Sequence, residues 1–157
     1  MALYLIRCAT AVPRRRWYGP DQDRALSAVG RAQADALVAL LGATPIAHIL
    51  SSPYLRCVET VTPLARRRDL EVEQLSSLAP SHDVQLILAW IRALPDHSVL
   101  CSHGAVIARV MEILTRQGAE VAGPSVWRKG STWVLTRRDQ HVVAVHAIPP
   151  TTELSAV

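Results

Sequence analysis

The sequence predicts an α/β domain with three layers, in which helices cover both faces of a mostly parallel sheet that has an antiparallel edge. Short apolar runs of strand length alternate with longer segments of helical period, which is typical of a parallel sheet. The last two apolar runs follow each other directly, which indicates an antiparallel edge. With 157 residues, half of them apolar, the chain can bury one core. We expect one domain over residues 1–150 and a C-terminal tail over residues 151–157.

The first half of the chain supplies three strands and two helices. A buried strand is expected over residues 2–7, followed by a polar loop. Ser27 is a favourable N-cap for a helix of about four turns that ends near Gly42. A strand over residues 46–50 leads into a second helix that starts at residues 51–53 (SSP), because proline is tolerated in a first turn. A third, weaker strand is expected over residues 70–75.

The second half begins with a helix that Asp83 can cap and that runs to about residue 94. A short strand and another helix follow, over residues 99–102 and 105–116. Two β-rich runs, over residues 131–137 and 141–148, are joined by a short polar segment and predict a hairpin. This pair supplies the antiparallel edge of the sheet.

The composition excludes some classes of function. There are 17 Lys and Arg against 13 Asp and Glu, and the arginine runs are too short to indicate nucleic-acid binding. No apolar run approaches the span of a bilayer, and the N-terminus has no pattern of a secretory signal. We therefore expect a cytoplasmic location, with no membrane and no nucleic acid as partner. Cys8, Cys57 and Cys101 lack paired metal-ligand spacing, so three free thiols are expected.

Two strand ends carry the chemically informative residues. The first strand ends in residues 7–10 (RCAT), and the strand near residues 98–101 ends in residues 102–104 (SHG) before a helix. Parallel strands deliver such side chains to one edge of the sheet, where anion-binding sites are built. An arginine and a histidine at these positions predict an anion-binding pocket.

Five segments in order resemble the histidine phosphatase superfamily. Its first strand ends in Arg-His-Gly, and a later segment reads Ser-Ser-Pro-x-x-Arg-x-x-Gln-Thr. The similar segments here are residues 3–9 (LYLIRCA), 23–34 (DRALSAVGRAQA), 51–60 (SSPYLRCVET), 102–104 (SHG) and 129–135 (KGSTWVL). The resemblance covers residues 2–148. Within the family, the chain is similar to the short phosphohistidine phosphatase branch and to the phosphatase domains that are otherwise fused to Nudix hydrolases.

The resemblance implies the roles of several residues. Arg7, Arg56 and His103 would form the phosphate pocket and stabilise the transition-state charge. No metal or other cofactor is implied, because the arginines supply the positive charge. The implied ligand is a phosphorylated small molecule, such as a nucleotide or another phosphate ester, or the phosphohistidine of a phosphoprotein. The family's substrate loop corresponds to Thr10 and to residues 17–19, namely Trp17, Tyr18 and Gly19.

Cys8 stands where the family has its nucleophilic histidine, and Ala9 stands for the glycine. A thiol reaches less far than an imidazole nitrogen, and misplacing a nucleophile by about 1 Å can cost about a hundredfold in rate. We therefore expect impaired phosphatase activity. Two alternatives remain: Cys8 attacks as a thiolate that the neighbouring cations activate, or the protein is a non-catalytic module that binds a phosphorylated ligand or a protein.

Cys8 and Arg14 also have the spacing of the phosphate-binding loop of cysteine-dependent tyrosine phosphatases. That loop binds phosphate through successive backbone N–H groups and usually contains glycine. Residues 9–13 (ATAVP) have no glycine, and Pro13 has no N–H to donate. The spacing is therefore not expected to form such a loop.

The proton donor of the family lies before the helix that precedes the second histidine motif. Asp83 aligns best with it, although the same residue is a suitable helix N-cap. His82 is an alternative donor. Glu59 is expected to be a helix-surface residue or a partner of an arginine.

Overall fold

The computed structural model describes residues 1–80 and 83–150. The predicted tail over residues 151–157 therefore lies outside the described residues. The strands are β1 (Ala2–Arg7), β2 (Ile49–Ser51), β3 (Val72–Gln74), β4 (Val99–Ser102), β5 (Glu120–Val121), β6 (Thr132–Arg138) and β7 (His141–Ile148). The helices are α1 (Ala28–Leu41), α2 (Leu55–Arg68), α3 (Val84–Ala93) and α4 (Gly104–Arg116).

The strands form one sheet in the order β3-β2-β4-β1-β6-β7-β5. The first four strands in this order run parallel to one another. Strand β6 is antiparallel to β1, and β7 is antiparallel to β6. The predicted architecture, a mostly parallel sheet with an antiparallel edge, is confirmed. Strand β5, which pairs in parallel with β7, was not expected because two residues carry no readable alternation.

The side chains of the central strands alternate between the two faces of the sheet, as strand geometry requires. Leu3, Leu5 and Leu100 belong to a buried cluster that includes residues of α3 and α4. Ile6 and Cys101 belong to a second buried cluster that includes residues of α1 and α2. Helices therefore cover both faces of the sheet, and the three layers are established.

The main correction concerns the start of the second helix. Helix α2 begins at Leu55 rather than at Ser51, and its N-cap position is Tyr54. Ser51 still belongs to β2, and the backbone N–H of Ser52 donates to the carbonyl of Cys101 at 2.9 Å. These residues therefore extend the sheet before the chain turns into the helix.

The other helix boundaries agree closely with the sequence. The Ser27 side chain accepts a hydrogen bond from the N–H of Gly30 at the start of α1, and Gly42 occupies the C-cap position. Asp83 caps α3 through its side chain. The hairpin between β6 and β7 turns at Asp139 and Gln140, which both have positive φ angles (51° and 70°), as a tight two-residue turn needs.

Within residues 1–80 and 83–150, no helix combines the length and the apolar character needed to cross a membrane.

Candidate functional site

The carboxyl ends of β1 and β4 open into one cavity of about 480 Å³. This is the edge at which parallel sheets bind ligands. The residues lining the cavity come from these strand ends, the loop between β1 and α1, the starts of α2 and α4, and the segment before β6. They are Arg7, Cys8, Ala9, Thr10, Ala11, Pro13, Arg14, Arg24, Arg56, His103, Gly104 and Lys129.

Arg7 is the last residue of β1, and its guanidinium lies against the start of α4. A Cβ built on Gly104 would lie 2.8 Å from both Cζ and Nε of Arg7, so the glycine leaves the space that the arginine occupies. The Nη1 of Arg7 donates a hydrogen bond to the carbonyl of Trp127. Partial burial lowers the pKa of Arg7.

Arg56 lies in the first turn of α2 and is held by the loop that precedes α1. Its Nη1 donates to the backbone carbonyl of Asp21 at 3.1 Å, and its Nη2 lies 3.3 Å from the Asp21 carboxylate. The guanidinium carbon lies 5.0 Å from the centroid of the Tyr54 ring, a cation–π distance. Burial is the main cause that lowers the pKa of Arg56. The side chain is therefore oriented from two sides.

His103 follows β4 and occupies the N-cap position of α4. Its Nε2 lies 2.8 Å from the hydroxyl oxygen of Ser52, and its ring meets the Tyr54 ring edge-on, with centroids 4.8 Å apart. Burial, assisted by the charge of Arg56, lowers the pKa of His103 from 6.5 to about 4. The imidazole is therefore neutral at pH 7, and the positive charge of the cavity comes from other groups.

Cys8 and Cys57 are joined by a disulfide, with their Cα atoms 4.7 Å apart. This corrects the expectation of three free thiols, because only Cys101 is free. Sequence spacing gave no signal for the pair, since the bonded residues are 49 positions apart. The disulfide also links the two backbones that carry Arg7 and Arg56, because each of these arginines directly precedes one of the bonded cysteines.

The loop after Cys8 uses its backbone N–H groups within the protein. The N–H of Ala9 donates to the Thr60 hydroxyl, and the N–H of Thr10 donates to Oε1 of Gln33, both at 2.9 Å. The hydroxyl of Thr10 also donates to Gln33, at 3.1 Å. The N–H groups of Ala9 and Thr10 are therefore used within the protein and do not form a phosphate-binding loop. This agrees with the sequence argument against the tyrosine-phosphatase pattern.

Three further cations line the cavity, and the sequence did not single them out as site residues: Arg14, Arg24 and Lys129. Arg24 is buried and donates to the Val12 carbonyl at 2.8 Å and to Asp21 at 3.0 Å. Burial is the main cause that lowers the pKa of Lys129, followed by the charges of Arg7, Arg24, Arg56 and Arg14. The only available signal for Lys129 was its position in the segment 129–135.

Two comparisons with known proteins agree on the family. Residues 3–80 match the model of the histidine phosphatase superfamily, branch 1. The chain is 33% identical over 155 residues to the 8-oxo-(d)GTP phosphatase of Mycolicibacterium smegmatis, an alignment that covers 95% of the chain. This chain belongs to the histidine phosphatase superfamily. It spans 48% of the length of that curated relative.

Solved structures of phosphatases share the fold. The protein histidine phosphatase SixA complexed with tungstate aligns with a TM-score of 0.74 at 21% identity, over 98% of this chain and 99% of SixA. A mycobacterial glucosyl-3-phosphoglycerate phosphatase aligns with a TM-score of 0.66 at 17% identity, over 93% of this chain and 96% of its own. At these identities the likeness concerns the fold.

Asp83, which the sequence suggested as the proton donor, is not among the residues that line the cavity. Its Oδ1 accepts a hydrogen bond from the N–H of Gln85 at 2.9 Å, at the start of α3. His82 lies outside the described residues. Glu59 accepts a hydrogen bond from the backbone N–H of Leu26 at 2.9 Å, so it holds the loop before α1 in place. Proton donation by Asp83 stays a prediction.

The expected substrate loop divides into a packed and an exposed part. The indole N–H of Trp17 donates to the carbonyl of Pro20 at 2.8 Å, and Gly19 packs under the indole. Trp17 and Gly19 line a shallow depression together with Arg14, Asp21 and Arg24. Tyr18 is 97% exposed. Among the four loop residues, only Thr10 lines the main cavity.

Proposed function

We propose that this histidine phosphatase homologue binds the phosphate group of a small phosphorylated molecule in the cavity, and that phosphoryl transfer by the family's histidine mechanism is impaired. The proposal rests on the observation that the residue at position 8 is a cysteine in a disulfide. The sulfur of Cys8 is bonded to Cys57, so no free nucleophile stands where the family has its histidine. The surrounding cations are nevertheless retained.

Electrostatics supports an anionic ligand. Arg7, Arg14 and Lys129 line the cavity together with Arg56. The residues that line it include no carboxylate among those that the structure describes; the carboxylate of Asp21, which pairs with both Arg24 and Arg56, is outside this lining. The cations at the cavity outnumber the carboxylates near it, and such an excess of positive charge stabilises a bound oxyanion. Guanidinium groups also match phosphate oxygens bidentately. Helix α4 also begins at the cavity, where its backbone N–H groups favour an anion.

Among ligands of this kind, a nucleotide is the one we favour. The curated relative is named as an 8-oxo-(d)GTP phosphatase. Arg14 and Arg24 line both the main cavity and the depression beside Trp17, so cations extend beyond a single phosphate position. The phosphohistidine of a phosphoprotein, the substrate class of the structural relative SixA, is the alternative ligand.

A second candidate function is phosphomonoester hydrolysis by the reduced Cys8 thiolate. The position of Cys8 at the cavity, directly after Arg7, favours it. Neighbouring cations lower the pKa of a thiol and so raise the fraction of thiolate. The two candidates differ in whether the reduced protein turns over a substrate.

The test compares the unchanged chain, assayed both with its disulfide intact and after reduction, with its Cys8→His and Arg56→Met variants under reducing conditions. Thermal melting in inorganic phosphate reports binding, and phosphate release from an aryl phosphate and a nucleotide panel reports turnover. We expect phosphate to raise the melting temperature of the chain and not that of Arg56→Met. Phosphate release should appear only in Cys8→His.

Two outcomes would contradict the proposal. If phosphate did not stabilise the unchanged chain, the cavity would not be a phosphate site. If the unchanged chain released phosphate and thiol alkylation abolished the release, Cys8 would be an active nucleophile and the second candidate function would hold.

A further inference from the structure

Three cysteines from three different elements meet beneath the cavity. Cys8 follows β1, Cys57 lies in α2 and Cys101 lies in β4, and their sulfur atoms are all within 4.8 Å of one another. The register of β1 and β4 explains why Cys8 and Cys101 lie close together. Ile6 pairs with Cys101 across β1 and β4, and Cys8 comes two residues after Ile6, so its side chain returns to the same face of the sheet. That face is the one covered by α2.

The pairing between two of these three thiols is selective. The Cα atoms of Cys8 and Cys57 are 4.7 Å apart, which lies within the range that disulfides span without backbone movement. Cys101 remains free although its sulfur is close to both. Complete burial raises the pKa of Cys101 far above its usual range, so this thiol stays protonated and is a poor nucleophile.

Cys8 is the cysteine of the three that solvent reaches. It lines the cavity and is 5% exposed, whereas Cys57 and Cys101 are 0% exposed. Arg7 and Arg56 line the same cavity, and cations of this kind favour the thiolate. In the reduced protein Cys8 would therefore react first with a small oxidant, and Cys57 would be positioned to resolve the product.

We propose that Cys8 and Cys57 are a reversible redox pair that a hydroperoxide oxidises through the cavity, with Cys101 as a bystander. The Cys8 thiolate attacks one oxygen of hydrogen peroxide, the O–O bond breaks, and sulfenic acid and hydroxide are formed. The Cys57 thiol then attacks the sulfenic sulfur, the disulfide forms and water leaves. A small dithiol reverses the reaction by thiol–disulfide exchange. This inference does not depend on the ligand of the cavity.

The same three sulfurs are also a possible ligand set for a soft metal ion such as zinc. Metal binding and disulfide formation exclude each other. A metal ion needs Cys8 and Cys57 as separate thiolates, and neither is a thiolate while the disulfide is present. The bonded pair in the structure favours the redox use. Metal binding is therefore an outcome that the experiment must detect.

The experiment begins with the reduced chain, which is treated with hydrogen peroxide and analysed by intact mass and by peptide mapping without reduction. We expect the mass to fall by two hydrogen atoms, a crosslink between the peptides that contain Cys8 and Cys57, and full recovery of the reduced mass with dithiothreitol. The mapping needs no substitution, so its result stands even if a cysteine variant fails to fold.

Three variants assign the roles. The rate of peroxide consumption should fall at least about tenfold in Cys8→Ser and stay within about twofold in the matched control Cys101→Ser. Cys57→Ser should accumulate sulfenic and higher acids at Cys8 without a disulfide. A crosslink that includes Cys101, no crosslink in the unchanged chain, or a zinc ion bound by the reduced thiols that prevents the crosslink would each overturn the proposal.

Discussion

The Nε2 of His103 lies 2.8 Å from the hydroxyl oxygen of Ser52 in a buried position at the edge of the cavity. Burial of this ring lowers its pKa to about 4, so the protein holds a neutral histidine beside several cations. A bound phosphate dianion would favour the imidazolium. The histidine can therefore respond to an anion by taking up a proton, whereas the arginines keep their charge throughout.

The stability of the protein should fall in mild acid because of His103. Its pKa is about 4 when folded, against an ordinary value of 6.5, so the unfolded state binds the proton more readily between these values. The contribution of neutral His103 to the free energy of unfolding is fully present above about pH 6.5. It is lost progressively as the pH falls towards 4, by on the order of 2 kcal/mol. Urea denaturation at pH 7 and at pH 4.5 measures the change. His103→Gln should show a smaller loss, and an equal loss would contradict the assignment.

Gly104→Ala should weaken phosphate binding while the fold persists. The added methyl would lie 2.8 Å from Cζ and Nε of Arg7, and the end of this flexible side chain would move away. Alanine also favours a helix more than glycine does. We expect phosphate affinity to fall about tenfold, which corresponds to about 1.4 kcal/mol, as measured by melting temperature against phosphate concentration. Ala105→Ser, at the next and exposed position, is the control, and unchanged affinity in Gly104→Ala would show that Arg7 does not bind phosphate.

Gly30→Ala should destabilise the whole domain. A Cβ at this position would overlap the carbonyl oxygen of Thr10, which is fixed by hydrogen bonds of 3.0 Å from both the N–H and the hydroxyl of Ser27. Because backbone cannot move aside cheaply, we expect a loss of about 2–3 kcal/mol in the free energy of unfolding. Chemical denaturation measures it. Arg31→Ala, at the next and exposed position, should have little effect, and a comparably small effect of Gly30→Ala would show that α1 shifts freely.

Arg137 should contribute to the stability of the fold and not to phosphate binding in the cavity. Its guanidinium is buried and donates to the carbonyls of Ile91 and Leu94 at 2.9 and 2.7 Å and to Asp96 at 2.8 Å. Arg137→Met removes these bonds and leaves buried acceptors unpaired, which should cost about 2–4 kcal/mol. Phosphate should still raise the melting temperature of the variant by the same amount. The exposed Arg138→Met is the control, and a lost phosphate response would connect this arginine to the site.

The sequence predicted the parts of the fold and of the site that follow from local pattern. Strand β1, helix α1 with its Ser27 cap and the final hairpin are all readable from periodicity, capping and turn residues. Arg7 and His103 could be found because strand ends of a parallel sheet share one edge. The start of α2 was wrong because residues 51–53 also satisfy a helix start, and only the pairing of β2 with β4 keeps Ser51 in the sheet.

Cavity residues outside the strand ends could not be found in this way. Arg14, Arg24 and Lys129 lie on loops, whose course depends on contacts such as the one between Arg24 and Asp21. Asp83 satisfied two patterns at once, a cap and an aligned acid, and the structure shows it capping α3. No local rule distinguishes such cases, because both interpretations require the same residue at the same position.

By itself, the sequence determined the α/β class, the strand ends that carry Arg7 and His103, and a cysteine where the family has a histidine. These features depend on neighbouring residues and on the alternation of side chains along a strand. Only the tertiary structure decided that Cys8 pairs with Cys57, that Cys101 stays free and that His103 is neutral. Each of these depends on which distant side chains share one buried space and on how far water is excluded from it, and the sequence does not contain that information in any local form.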